Sequence, residues 1–190
     1  MISHLDEQIG RILAELDRAG LAGNTLVIFS ADNGLAVGCH GLLGKMSMYD
    51  HSVRVPLVLR LPSQEGARPG TRRGALCYLY DLFPTVCDLA GIPIPDTVGG
   101  RTLRPLLRRA GTRVRDTVFA HYRDVQRMAR TRRWKLIHYP LIDKTQLFDL
   151  DRDPDEMEDL AGRPESGARL EELRGRLVGW QREVGDRQGG

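Results

Sequence analysis

The sequence predicts an α/β fold: a mostly parallel sheet with helices, then a small antiparallel sheet packed with a C-terminal helix. Three observations point there. Two short apolar runs, Leu26-Val27-Ile28-Phe29 and Pro56-Leu57-Val58-Leu59-Arg60, are continuous rather than alternating, the pattern of strands buried on both faces. Helical periodicity marks residues 3–19 and 81–90 on either side of them. Beyond about residue 112 the texture changes to short strand candidates separated by turn and charged residues.

The first helix has Ser3 as a candidate cap, Leu5, Ile9, Ile12, Leu13 and Leu16 on one face, and Gly20 to close its end. The run to Phe29 reads as a buried parallel strand, and the run from Pro56 as a second buried strand ended by Pro62. Residues 63–71 form a loop rich in Gly and Pro. Asp81 to Ala90 reads as a helix that tolerates Pro84 in its first turn and has Gly91 just past its end. An irregular return follows, with a short helix near Leu106. Strand candidates lie at 117–122, 125–131, 134–139 and 146–150. The last helix, 165–184, lines up Leu170, Leu173, Leu177 and Trp180 to cover one face of that sheet. This ordering divides the chain into 1–112 and 113–190.

With 190 residues, 41% of them hydrophobic and 28% charged, the chain has the make-up of a soluble globular protein. No run is long enough for a membrane span, and the first residues lack a signal peptide's layout. The 28 basic and 25 acidic residues nearly cancel. Arginines cluster at 104, 108, 109, 113 and 115 and again at 127, 130, 132 and 133, which reads as a solvated basic surface. Without interleaved aromatic residues they give no nucleic-acid site. Cys39, Cys77 and Cys87 are an odd count with no C-x-x-C pair, so neither a disulfide framework nor structural zinc is indicated; Cys87 reads as a small core residue.

The chemistry concentrates after the first strand, in Ser30-Ala31-Asp32-Asn33-Gly34. In open α/β sheets ligands gather outside the carboxyl ends of strands. Asp32 offers a carboxylate and Asn33 an amide oxygen, hard donors suited to calcium or magnesium rather than zinc. Lys45, beside Gly44, adds a compact positive charge of the kind that holds an oxyanion. On residue types alone, Asp-Asn-Gly reads equally as a helix N-cap or a turn. Asp151, Asp153 and Asp155 alternate like the start of a calcium loop, but Glu156 stands at the glycine position, Pro154 interrupts, and Gly162 replaces the bidentate glutamate, so a capped turn is expected.

The longer string removes the ambiguity. Asp32-Asn33-Gly34, His40-Gly41, Gly44-Lys45, Tyr49-Asp50 and Arg54-Val55-Pro56, in this order and spacing, resemble the sulfatase family of the alkaline-phosphatase-like superfamily. The resemblance continues in Pro84-Thr85 with Asp88-Leu89-Ala90-Gly91, in Arg133-Trp134-Lys135-Leu136-Ile137, and in Leu147-Phe148-Asp149-Leu150-Asp151-Arg152-Asp153-Pro154. It implies part of an alkaline-phosphatase-like sandwich and hydrolysis of a sulfate ester on a small molecule or glycan. It implies Asp32 and Asn33 as ligands of Ca2+, with Mg2+ or Mn2+ as alternatives, and Lys45 as the contact to the sulfate or leaving oxygen. His40 would line the rim of the substrate pocket or serve as a neutral hydrogen-bonding residue; both readings stay open. For Arg54 a structural ion pair is expected rather than substrate contact.

The family's nucleophile is a formylglycine made from Cys or Ser in a Cys-x-Pro-x-Arg context, and no Cys or Ser of this sequence stands in that context. The family's early Asp-Asp metal pair is missing too. The resemblance therefore implies the C-terminal part of such an enzyme, inactive by itself and partnered by an N-terminal half, with the compartment left open. A phosphodiester or phosphonate monoester hydrolase of the same superfamily, or a non-catalytic remnant, are the alternatives.

Overall fold

The computed structural model describes residues 1–62, 69–109 and 111–186. Most of the expected loop at 63–71 lies outside them. The chain divides into two compact units, each discontinuous in sequence: residues 1–31 with 56–72, and residues 32–55 with 73–190.

The smaller unit holds helix α1 (Ile2–Arg18) and strands β1 (Val27–Ser30) and β2 (Leu57–Arg60). The helix starts one residue before the expected cap, so Ser3 lies inside its first turn and no side chain caps it. Its end is as expected: Gly20 takes φ +69, and the N–H groups of Gly20 and Leu21 donate to the Asp17 and Leu16 carbonyls. The strands differ from the parallel, buried expectation. They pair antiparallel with each other, Phe29 opposite Val58, and both of these side chains are exposed, at 42% and 59%. Ser30 Oγ donates to the Pro56 carbonyl at 2.8 Å and closes the ribbon where the chain leaves and re-enters.

The larger unit is built on a meander of β3 (Val118–Tyr122), β4 (Gln126–Arg130), β5 (Trp134–Tyr139) and β6 (Lys144–Asp149), antiparallel in that order. Strands β4, β5 and β6 carry buried triplets: Arg127-Met128-Ala129, Lys135-Leu136-Ile137 and Leu147-Phe148-Asp149. Side chains alternate between faces along a strand, so consecutive buried residues require cover on both sides. One side is closed by helix α5 (Gly167–Val184), whose Leu173 and Leu177 pack with Ala129, Leu136 and Leu147, flanked by Leu170 and Trp180. The opposite face, with Met128, Ile137 and Phe148, is covered by Met48, Tyr49 and Val53 of the motif loop and by Tyr78.

Helix α3 (Leu82–Ala90) ends at Gly91 in the left-handed region and buries Pro84, Thr85 and Cys87; α4 (Arg104–Arg108) follows, with Leu106 buried. Asp81 is fully buried at the start of α3. It accepts the N–H groups of Tyr78 and Arg101 at 2.7 and 2.8 Å and is paired with Arg115 through both oxygens. Tyr78 ties this block to β3: its hydroxyl accepts the Phe119 N–H and donates to the Phe119 carbonyl. The arginine clusters are thus not simply a solvated surface. Arg115, Arg127 and Arg130 are internal, bonded to Asp81, Asp186 and Asp50 respectively. All three cysteines are free.

Two substitutions test this account. Leu173→Ala, which empties a fully buried position between α5 and the sheet, is expected to cost about 2–5 kcal/mol in urea unfolding. Asp81→Ala, which strands Arg115 and two N–H groups, is expected to cost about 3–5 kcal/mol by the same measurement.

Candidate active-site loop and its relatives

Asp32 to Val55 forms one loop held to itself by backbone bonds. The Gly34 N–H donates to the Ser52 carbonyl at 2.9 Å, the Ala36 N–H to Gly44 at 2.9 Å, and the Gly38 N–H to Leu42 at 2.7 Å. Gly34 is required by close approach, since a Cβ there would lie 2.0 Å from the His51 carbonyl oxygen. Asp32 is exposed and Asn33 half-buried at one end of this ladder; Lys45, exposed, directly follows the Gly44 rung. The loop re-enters structure as α2 (Asp50–Val53).

His40 and Tyr49 stack face to face, 3.9 Å between ring centroids and 8° between planes, with the His51 ring 5.5 Å from His40. His40 Nε2 lies 3.0 Å from the Asp155 carbonyl oxygen. The Tyr49 hydroxyl donates to Gln146 Oε1 at 3.0 Å, and the Met48 N–H to Gln126 Oε1 at 2.9 Å. His51 Nδ1 joins the Ser52 hydroxyl at 2.8 Å, which meets the Ser47 hydroxyl at 2.9 Å. Burial, then the neighbouring His40 and Lys135, hold the His51 pKa below its ordinary value. Arg54 is exposed and forms no ion pair among the described residues, so the expected structural pair is not made.

The loop is locked to the sheet by a buried ionic group that the sequence reading did not identify. Lys135 of β5 is 0% exposed, and its Nζ lies 2.8 Å from Asp50 Oδ1 and 2.7 Å from Glu156 Oε1. Arg130 of β4 grips Asp50 with two nitrogens, at 3.1 and 2.9 Å. Glu156 also accepts the Asp50 N–H at 2.5 Å. Two cations thus face two carboxylates. Burial raises the Asp50 carboxyl, but the Arg130 bond and the Lys135 charge outweigh it and leave the pKa below its ordinary value. At Glu156 burial wins, and the carboxyl is pushed up against the pull of Lys135. The only sequence signal was a lysine inside an otherwise apolar strand, Trp134-Lys135-Leu136-Ile137.

Asp153, Asp155 and Glu156 form a turn rather than a cation loop: the Glu158 N–H donates to Asp153 Oδ2 at 2.7 Å, and Glu156 takes φ +58. Among the described residues no group of three or more His, Cys, Asp and Glu side chains is arranged to hold a metal, and no helix is long and apolar enough to cross a membrane. The oxygen donors Asp32 and Asn33 have the right chemistry for a hard cation, but two donors fall short of the six to eight that calcium takes.

Residues 38–183 match the family described as N-sulphoglucosamine sulphohydrolase, C-terminal. The chain belongs to the sulfatases. This sulfatase chain is 32% identical over 194 residues to the N-acetylglucosamine-6-O-sulfatase of Bacteroides thetaiotaomicron, the alignment covering 96% of the chain and 34% of that relative. Its fold superposes with TM-score 0.89 and 30% identity on a structure bound to its substrate D-glucosamine-2-N,6-O-disulfate, covering 98% of the chain and 40% of that structure. A phosphonate monoester hydrolase from Silicibacter pomeroyi is also similar, with TM-score 0.83, 28% identity, and 96% and 40% covered. The chain therefore makes up part of the alkaline-phosphatase-like fold of the sulfatases it resembles, and it spans about a third of the length of the curated relatives it matches.

Asp50 supplies the test of the ionic lock. A carboxyl with a depressed folded pKa stabilises the protein above the ordinary aspartate range and loses that contribution as pH falls through the depressed value. Glu156, raised, acts with the opposite sign: its contribution is present at low pH and is lost as pH rises through the raised value. Asp50→Asn is expected to cost about 3–5 kcal/mol near neutral pH. It should also reduce the drop in urea midpoint between about pH 6 and pH 3 relative to the unsubstituted chain.

Proposed function

We propose that this chain is the C-terminal part of the catalytic domain of a sulfuric ester hydrolase, completed by an N-terminal half and acting on a sulfated sugar or similar small molecule. The family match across residues 38–183 carries the reading. The sugar is suggested by the structural neighbour whose substrate is a disulfated glucosamine. In this reading Asp32 and Asn33 provide two oxygen ligands to a Ca2+, with Mg2+ or Mn2+ as alternatives, and the remaining ligands come from outside the chain. Lys45 places its ammonium against the sulfate or the leaving oxygen, where negative charge develops as the S–O bond breaks. The backbone ladder from Gly34 to Ser52 supports a common location for these groups, because it draws the Asp32 end and the Lys45 turn into one loop. His40 lies at the substrate rim.

A formylglycine is the expected nucleophile, and its precursor motif is not among these residues. We infer that the 190 residues are catalytically inert when separated from the rest of the domain. The phosphonate monoester hydrolase neighbour favours one alternative, the same scaffold acting on a phosphonate or phosphodiester.

Purified alone, the chain is expected to turn over no aryl sulfate; measurable hydrolysis would defeat the division of the site between two halves. In a polypeptide carrying both halves, Lys45→Ala is expected to lower kcat/KM for an aryl sulfate about 10²–10³-fold. Faster turnover of an aryl phosphonate than of an aryl sulfate would move the assignment to the alternative.

A further inference from the structure

We propose that Glu156 and Lys135 are positioning residues that hold His40 as the Nε2–H tautomer, leaving a bare Nδ1 as the nitrogen this loop offers to a ligand. A backbone carbonyl can only accept, so the 3.0 Å contact between His40 Nε2 and the Asp155 oxygen requires the hydrogen on Nε2. In the neutral ring Nδ1 is then a lone pair, and among the described residues no hydrogen bond reaches it. The other contacts of His40 are ring contacts, the stack on Tyr49 and the tilted approach of His51.

The direction of that carbonyl is set one residue later. The peptide plane joining Asp155 to Glu156 is rigid, and rotation about φ of Glu156 turns it as a unit. Glu156 holds φ +58, a left-handed conformation that disfavours a residue with a Cβ. It is nearly fully buried there, with Oε1 2.7 Å from Lys135 Nζ and Oε2 accepting the Asp50 N–H. Among the described residues Lys135, without solvent, is neutralised by Asp50 and Glu156, and Asp50 is shared with Arg130, so the glutamate cannot turn away without leaving a buried ammonium on one shared carboxylate. The chain of constraint runs from Lys135 to the Glu156 backbone, to the Asp155 carbonyl, to the His40 ring.

The consequence for substrate rests on the sulfatase reading above. A bare imidazole nitrogen accepts, so it selects a donor on the substrate, a sugar hydroxyl or a sulfamate N–H, in preference to a sulfate oxygen. His40 would then recognise the alcohol part of the ester while Lys45 meets the anion.

The tautomer can be read without turnover, from long-range ¹H–¹⁵N correlations of the histidine-labelled full chain at about pH 8, above the ordinary histidine range. His40 is assigned by the signal lost in His40→Gln. It is expected to show one protonated nitrogen, Nε2, and one bare nitrogen, Nδ1, well separated. In Glu156→Ala and Lys135→Met the two signals are expected to converge as the tautomers mix, with the amide spectrum still dispersed. Glu156→Gln, of equal size, carries the same expectation where the alanine variant does not fold. An Nδ1–H or already mixed His40 in the unsubstituted chain, or an unchanged pattern in a folded Glu156 variant, overturns the proposal. If the tautomer behaves as expected while the complete domain hydrolyses no sulfate ester, the sulfatase reading fails and the positioning role stands.

Discussion

The ammonium of Lys135 has no access to water, and that single fact constrains much of the larger unit. An isolated charge in the protein interior is costly, several kcal/mol even after relaxation, so it is tolerated only where opposite charges are held against it. Here the opposite charges come from two distant parts of the chain, Asp50 at the start of α2 and Glu156 in the turn after β6. Each must be where it is for the other to be neutral. The loop that carries Asp32, His40 and Lys45 therefore cannot shift on the sheet without breaking a balanced group of four charges. Apolar contacts alone, Met48 and Val53 on Met128 and Ile137, would tolerate sliding; the ionic group does not.

The sheet explains how such a lysine can exist in a strand. Lys135 and Ile137 face the loop while Leu136, between them, faces α5. A one-residue slip in the pairing of β5 would exchange the two faces and drive the ammonium into the Leu173–Leu177 side. The charge thus fixes the register that the hydrophobic pattern already favours. On the α5 side a second buried cation does similar service: Arg127 donates to Asp186 at 2.6 and 3.1 Å, just beyond the left-handed Gly185 that ends the helix.

Much of this was readable in sequence, and the parts that were not share a cause. The strands β3 to β6, α3 with Gly91, and the Leu173–Leu177 stripe follow from local periodicity and turn chemistry, so one window of residues suffices to find them. The family resemblance rested on linked motifs and was equally legible. The ionic lock was not, because Lys135 and Asp50 are 85 positions apart and nothing local to either says which partner neutralises it. The strand pairing of β1 and β2 failed differently. A continuous apolar run reports a wish for burial on both faces, not the direction of the neighbour, and the antiparallel ribbon leaves Phe29 and Val58 exposed.

Glu156 shows how one residue can mislead a pattern and still carry a structural role. At the sixth place of an Asp-x-Asp-x-Asp stretch a cation-binding loop would use glycine for a sharp turn, and a glutamate there argues against calcium. The chain nonetheless makes the left-handed turn at that place, and the reason lies in what the side chain reaches. Its carboxylate pairs with Lys135 and accepts the first N–H of α2, interactions that glycine could not supply. The strain of the backbone and the burial of the carboxylate are two sides of one arrangement, in which the geometry of a turn aims a carbonyl at His40 and the charge keeps it aimed. A replacement that relieved the strain would remove the anchor, which is why conformational preference alone is a poor guide to what this position needs.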